Sequence, residues 1–235
     1  MIAGTTRLVG IIGSPVSGSL SPRMHNAAFA ARGLDWAYVP LAVPAALVGD
    51  AVRGLVALGF AGANVTAPYK KDVVLWCDEV DADSVNTLVV ADGRVTGKST
   101  DAAALDGLET SRAAVLGSGG AALAWIAALE ARGADVAVFA RRGEWPPRVD
   151  DRDLVVNATP VKDALLFQPR PDQAVIDLPY NADGSATELV EAGRAAGCRV
   201  VVDGLDVLAR QGAASFERWT GVPAPLDVML AAIRP

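Results

Sequence analysis

From Leu8 to Ile233 the chain alternates short apolar runs with amphipathic stretches set off by glycine and proline. Leu8-Val9-Gly10-Ile11-Ile12 is apolar throughout and does not alternate, as expected of a strand buried on both faces. Strands are read at 36–43, 61–66, 113–116, 135–140, 153–157, 174–178 and 199–202. Helices are read at 21–32, 47–58, 70–79, 101–110, 120–131, 207–219 and 226–233. Strands that alternate with helices pair in parallel, because each helix returns the chain to the starting edge and covers the sheet. One interruption breaks the rule: strands at 85–90 and 94–96 meet at Asp92-Gly93, a dipeptide that tolerates positive φ and marks a hairpin. The expected fold is α/β with two lobes and a cleft between them. Residues 1–102, completed by C-terminal helices over 205–235, form one lobe, and residues 103–204 form the other. At 51% hydrophobic and 20% charged, the 235 residues suffice for both cores.

Several classes are excluded by what surrounds this pattern. A net charge of −6 argues against a nucleic-acid surface. Cys77 and Cys198 lack metal-ligand spacing, and His25 is the only histidine, so no metal site is expected. Both cysteines are read as reduced thiols of a cytoplasmic protein. The first apolar run is too short for a signal peptide, and the uncharged stretch between Arg112 and Glu130 is split by glycines, so no membrane association is expected. A monomer or homodimer is expected.

Gly117-Ser118-Gly119-Gly120-Ala121-Ala122 fits G-x-G-x-x-A between a strand and a helix. Gly117 permits the tight turn, Gly119 lets backbone approach a pyrophosphate, and Ala122 allows close helix–strand packing. The free N–H groups of the helix start then face the phosphates. The second lobe is therefore read as a Rossmann-type dinucleotide-binding domain. The second strand of such a fold ends roughly 20 residues past the motif, where NAD-binding chains carry an acidic residue. Here Arg141-Arg142 stand instead, and two guanidinium groups suit a 2′-phosphate, so NADP is the expected cofactor.

Polar residues of the first lobe fall where strands end, which is where ligands bind in open α/β sheets. Ser19 and Ser21 offer hydroxyls at a helix start, with Ser21 read as the N-cap and Pro22 as the first helical residue. Thr66 ends a strand and Lys70 follows the stiff turn at Pro68. Such a Lys beside a cleft can exchange a proton, and Asp101 is placed to pair with it. Asn86 and Thr87 interrupt an apolar strand and need partners.

These segments together resemble the shikimate dehydrogenase family. The likeness rests on Ser19-Leu20-Ser21-Pro22 with His25-Asn26, Asn64-Val65-Thr66-Ala67-Pro68-Tyr69-Lys70, Val85-Asn86-Thr87-Leu88, and Thr100-Asp101. Val115-Leu116-Gly117-Ser118-Gly119-Gly120-Ala121-Ala122, Asn157-Ala158-Thr159-Pro160, Asp177-Leu178-Pro179-Tyr180, and Gln211 with Ser215-Phe216 follow in order, so it spans nearly the whole chain. The resemblance implies that the first lobe binds substrate. Ser19 and Ser21 would hold the shikimate carboxylate, and Thr66, Asn86, Asp101 and Gln211 the ring hydroxyls. Lys70 and Asp101 would be the acid–base pair, and Tyr180 would help close the site. Gly117 to Ala122 would hold the pyrophosphate, Arg141 and Arg142 the 2′-phosphate, and Thr159 would line the nicotinamide. The implied activity is reversible NADP-dependent reduction of 3-dehydroshikimate to shikimate, a step of aromatic amino-acid (chorismate) biosynthesis.

Departures keep alternatives open. Residues 143–147 leave no room for the family's usual helix, and Ser99 stands where it usually has Asn. Asp206 and Val207 replace its Gly-Met, and Asp206 would either repel substrate or cap the next helix. The alternatives are a paralogue acting on quinate or an aminoshikimate-type ring acid, and a non-catalytic NADP or ligand sensor of the same fold.

Overall fold

The structure, a computed structural model, describes residues 2–181 and 183–234. Met1, Ala182 and Pro235, which the ranges read from sequence include, lie outside the described residues. The chain divides into two compact units. One comprises the chain up to Thr100 together with Ala209–Ile233; the other comprises Asp101–Leu208 with Arg234.

In the first unit, β1 (Arg7–Gly13), β2 (Trp36–Ala42) and β3 (Gly62–Val65) form a parallel group. The crossovers between them are α1 (Ser21–Ala31) and α2 (Val48–Ala57). β5 (Thr87–Ala91) then pairs antiparallel with β3, and β6 (Arg94–Lys98) antiparallel with β5. β4 (Glu79–Val80) closes the edge, giving the order β2-β1-β3-β5-β6-β4. This sheet is therefore mixed, not wholly parallel. It turns antiparallel first where β5 enters beside β3 and again at the hairpin of Asp92 (φ 51°) and Gly93 (φ 74°), where two successive positive φ values turn β6 straight back along β5. Its core gathers Ile12, Val65 and Leu88 of the sheet with Val52 and Leu55 of α2 and with Val73.

Two expected helices shrink to single 3₁₀ turns. In the stretch read as helix 70–79 only Asp72–Trp76 is helical. The Lys70 carbonyl accepts from the Val85 N–H at 2.9 Å, so a tertiary bond takes the group that a helix would use. In the stretch 101–110 only Ala103–Leu105 is helical, and Gly107 follows at φ 81°.

The second unit is a five-stranded, wholly parallel sheet of order β11-β10-β9-β7-β8. Its strands are β7 (Arg112–Leu116), β8 (Asp135–Phe139), β9 (Leu154–Asn157), β10 (Ala174–Asp177) and β11 (Val200–Val202). β8 lies on one side of β7 and β9 on the other, so the order reverses at β7. The carboxyl ends of β7 and β9 thus flank the switch point where such sheets bind nucleotides. One face packs on α3 (Gly120–Glu130) through Ala122, Trp125 and Leu129. On the other face the loops after β8 and β9 do the work of helices: Trp145, Leu166 and Phe167 cover Leu116, Phe139 and Val155. α4 (Glu188–Ala195), not foreseen, starts at Thr187, whose hydroxyl accepts from the Val190 N–H at 3.3 Å. α5 (Gly204–Thr220) begins in this unit and continues into the other, followed there by α6 (Leu226–Ile233).

Candidate active site

Antiparallel pairing sets Asn64 of β3 opposite Thr87 of β5, so both side chains share one face of the sheet. Asn64 Nδ2 donates to the Asn86 carbonyl (3.0 Å), Thr87 Oγ1 (3.1 Å) and Ser215 Oγ of α5 (2.9 Å). Asn64 Oδ1 accepts from the Tyr38 hydroxyl at 2.8 Å. Asn86 Oδ1 accepts from the Thr100 N–H (2.8 Å) and from the hydroxyls of Thr100 and Thr87 (3.1 Å each). Asn86 Nδ2 donates to Gln211 Oε1 at 3.2 Å. Asn86, Thr87, Thr100 and Ser215 are all buried, so the network satisfies groups that would otherwise lose their hydration uncompensated. Of the residues expected to meet ring hydroxyls, Asn86 and Gln211 are thus brought together.

The residues expected at a carboxylate lie at the start of α1. Ser21 is not its N-cap: the helix begins at Ser21, the cap position is Leu20, and Pro22 sits one place later than read. Ser19 Oγ instead accepts from the Ser21 N–H at 3.3 Å. Thr66 is half-buried, and its Cγ2 would collide with a Cβ placed on Gly13, so only glycine fits there. Lys70 is half-buried in the same unit, and Asp101 is buried at the start of the other.

His25 is fully buried beneath this region. Its ring stacks on Tyr38 at 4.5 Å and tilts against Trp219 at 5.4 Å, and neither ring nitrogen has a hydrogen-bond partner among the described residues. Burial without a compensating charge pushes its pKa down to about 3, so the imidazole is neutral.

In the second unit Gly117 (φ 121°) directly follows β7, and a Cβ there would stand 2.9 Å from the Ala158 carbonyl. Gly119 is different: among the described residues, a Cβ there would meet no atom within 4 Å beyond its own chain neighbours, so packing does not call for glycine. It is the N-cap of α3, no side chain caps that end, and no acidic residue lies in the first turn. A cradle of backbone N–H groups that a side chain would obstruct suits a phosphate group. Ser118, Arg141 and Arg142 are exposed, Gly120 and Ala121 half-buried, and Ala122 is buried against the sheet. The residues present fit a dinucleotide.

Across the switch point Asn157 Oδ1 accepts from the Thr159 N–H (3.0 Å) and hydroxyl (2.7 Å), fixing the Thr159 loop. Asn157 Nδ2 donates to Asp177 Oδ1 at 2.7 Å, and the Thr187 hydroxyl donates to Asp177 Oδ2. Burial raises the Asp177 pKa to about 6, against the lowering effect of the Thr187 and Asn157 hydrogen bonds. Tyr180 lines a small cavity with Thr187, Arg194, Asp203 and Arg234, and burial raises its pKa. Asp206 does not cap α5. Asp203 does, accepting from the N–H groups of Leu205 (3.1 Å) and Asp206 (2.9 Å), while Asp206 pairs with Arg234 at 3.2 Å. Val207 is buried in the core, and the Ser99 N–H donates to Asp81 at 2.9 Å.

Tyr38 and Thr187 were not singled out from the sequence. Tyr38 reads as one aromatic residue of a strand, and only pairing brings its hydroxyl to Asn64. The signal for Thr187 was local: a Thr directly before Glu188 and an apolar run marks a helix start.

The fold and these networks define an α/β protein whose parallel sheet carries a dinucleotide-type turn at its switch point, joined in one chain to a mixed sheet with a polar ligand-type network. The model of the shikimate dehydrogenase substrate binding domain matches residues 11–88, and that of the shikimate 5′-dehydrogenase C-terminal domain matches residues 204–234. A shikimate dehydrogenase (NADP(+)) of Gluconobacter oxydans (strain 621H) is 37% identical over 267 residues, covering 97% of this chain and 95% of the relative. A crystal structure of a shikimate dehydrogenase in complex with NADP+ superposes with a TM-score of 0.89 at 30% identity, covering 99% of this chain and 96% of the other. That of the Thermus thermophilus shikimate 5-dehydrogenase with NADP(H) and shikimate gives 0.86 at 30% identity, covering 97% and 98%. The chain belongs to the shikimate dehydrogenase family.

Proposed function

We propose that this protein catalyses the reversible NADP-dependent reduction of 3-dehydroshikimate to shikimate. The observation that carries the reading is the 37% identity, over 97% of the chain, to a relative named shikimate dehydrogenase (NADP(+)). Bound NADP would supply the hydride acceptor. Ser19 and Ser21 hold the substrate carboxylate through their hydroxyls. Thr66, Asn86, Asp101 and Gln211 hold the ring oxygens, which sets the reacting carbon in one orientation. Lys70 takes the proton of the reacting hydroxyl as that carbon loses its hydride and becomes a carbonyl, and Asp101 offsets the positive charge on Lys70. In the reverse direction Lys70 returns the proton to the oxygen. Gly117 to Ala122 hold the pyrophosphate, Arg141 and Arg142 the 2′-phosphate, Thr159 borders the nicotinamide, and Tyr180 excludes water from the substrate side. The reaction takes place in the cytoplasm, where Cys77 and Cys198 stay free thiols, and the protein is a monomer or homodimer.

The test is nicotinamide absorbance with purified protein, shikimate and quinate each being offered with NADP and NAD. Turnover is expected with shikimate and NADP. Turnover confined to quinate, or to NAD, would replace this reading.

A further inference from the structure

The amide groups in the β3–β5 network can be oriented without ambiguity, because main-chain groups pin them. A backbone N–H can only donate, so the Asn86 atom 2.8 Å from the Thr100 N–H is the carbonyl oxygen. The other prong of Asn86 is therefore its NH₂. That prong lies 3.2 Å from Gln211, which must meet it with an oxygen. Two further hydroxyls, of Thr87 and Thr100, also reach Asn86 Oδ1 and hold the same orientation. Asn64 is pinned likewise: its NH₂ faces the Asn86 carbonyl at 3.0 Å, so its oxygen is the one that receives the Tyr38 hydroxyl. The polarity then passes outward. With Gln211 Oε1 committed to Asn86, the second prong of Gln211 is Nε2, a donor with no acceptor lone pair. Gln211 is half-buried on α5, whereas Asn86 behind it is buried.

We propose that Gln211 is a specificity-determining residue, oriented through Asn86 by the Thr100 main chain, whose Nε2 donates to a ligand hydroxyl or carbonyl oxygen and disfavours a protonated amine in its place. The inference rests on the proposed reading that Asn86 and Gln211 meet ring oxygens. A hydroxyl or carbonyl brings a lone pair to Nε2. An ammonium brings only hydrogens, and Gln211 cannot turn its oxygen outward without setting two NH₂ groups against each other. Thr87 and Thr100 are then positioning residues, and the network selects against the aminated analogue of its own ligand. Exclusion of this kind comes from an unpaired donor, not from a steric clash.

The experiment measures binding without nucleotide, by calorimetry at pH 7. The probes are shikimate and analogues in which one ring hydroxyl at a time is replaced by an amine. Wild-type protein is expected to prefer shikimate by about 100-fold over the analogue aminated at the Gln211 position. Gln211→Glu keeps an oxygen toward Asn86 and turns an acceptor outward, and should shrink that preference by at least about tenfold. Gln211→Met removes the prong without adding charge, and should lower shikimate affinity about tenfold while also shrinking the preference. A preference unchanged in both variants overturns the proposal. Shikimate turnover by the wild-type protein is measured beside it. Turnover with an unchanged preference leaves the proposed function standing and removes this inference. No turnover, with a preference that collapses in both variants, does the reverse. Wild-type protein that binds none of the probes overturns both.

Discussion

The unit built on β1–β6 buries a neutral imidazole, while the unit built on β7–β11 buries a carboxyl. His25 lies in an aromatic box of Tyr38, Trp219 and Phe29, with its pKa pushed down to about 3. Asp177 lies at a strand end among Asn157 and Thr187, with its pKa raised to about 6. The same cause, loss of hydration, moves the two in opposite directions because the charged form is the acid of one and the base of the other. The units differ as much in what they would offer a ligand under the proposed function. The first would hold a small ring one way round through side chains, chiefly the amides and hydroxyls whose donor and acceptor directions are fixed, with Lys70 beside them for proton transfer. The second would offer main-chain N–H groups at an uncapped helix start, as suits phosphates, which need charge and close approach more than direction.

The sharpest test of that division is Lys70→Met. Turnover of shikimate should fall about 10³-fold while NADP affinity, measured by titration, stays within about twofold. A comparable loss of NADP affinity would end the assignment of separate tasks. The complementary change, Arg141→Ala with Arg142→Ala, should raise the KM for NADP about 100-fold and leave that for NAD and for shikimate nearly unaltered. An equal rise for NADP and NAD would mean that neither guanidinium meets a 2′-phosphate.

Acid should separate the units next. Below pH 6.5 an unfolded His25 binds a proton that the folded one does not, so its contribution to stability is lost as pH falls toward 3, by roughly 1.4 kcal/mol per pH unit. Asp177 works the other way. Its folded pKa lies above the unfolded value of 3.8, so stability grows as pH falls from about 6 toward 3.8 and is lost again as pH rises through 6. In urea unfolding at a series of pH values, His25→Phe should flatten the acid loss between pH 6.5 and 4. The carboxyl carbon shift of Asp177 should titrate near 6. A midpoint below 4 would show that hydrogen bonds, not burial, dominate there. The smallest effect is Gly93→Ala. An L-residue at φ 74° should cost about 1 kcal/mol in the unfolding of the β1–β6 unit and nothing in the other.

The parallel core was readable from the sequence because Leu154-Val155-Val156 and Ala174-Val175-Ile176 are apolar without alternation, which only a strand covered on both faces tolerates. The hairpin was readable for an equally local reason, since Asp92-Gly93 states its own dihedral angles. The helix expected over 70–79 does not form beyond Asp72–Trp76. Its residues are compatible with a helix, but the Lys70 carbonyl is claimed by Val85, a partner no local pattern reveals. α4 is the opposite case, a short helix whose mark in the sequence is its cap at Thr187 and not a long apolar period.

The site divides along the same line. The sequence determined which chemical groups are present and in what order: hydroxyls at 19 and 21, amides at 64, 86 and 211, and glycines at 117, 119 and 120. Their order along the chain carried the family resemblance. Only the tertiary structure decided which way those groups face. The register of β3 against β5 places Asn64 across from Thr87, and α5 returns from far along the chain to set Ser215 and Gln211 beside them. A side-chain amide has one donor and one acceptor end, and nothing in its own sequence neighbourhood chooses between them. That choice is made by the fixed N–H of Thr100 and the fixed carbonyl of Asn86, and so by the packing of strands and helices distant in the sequence.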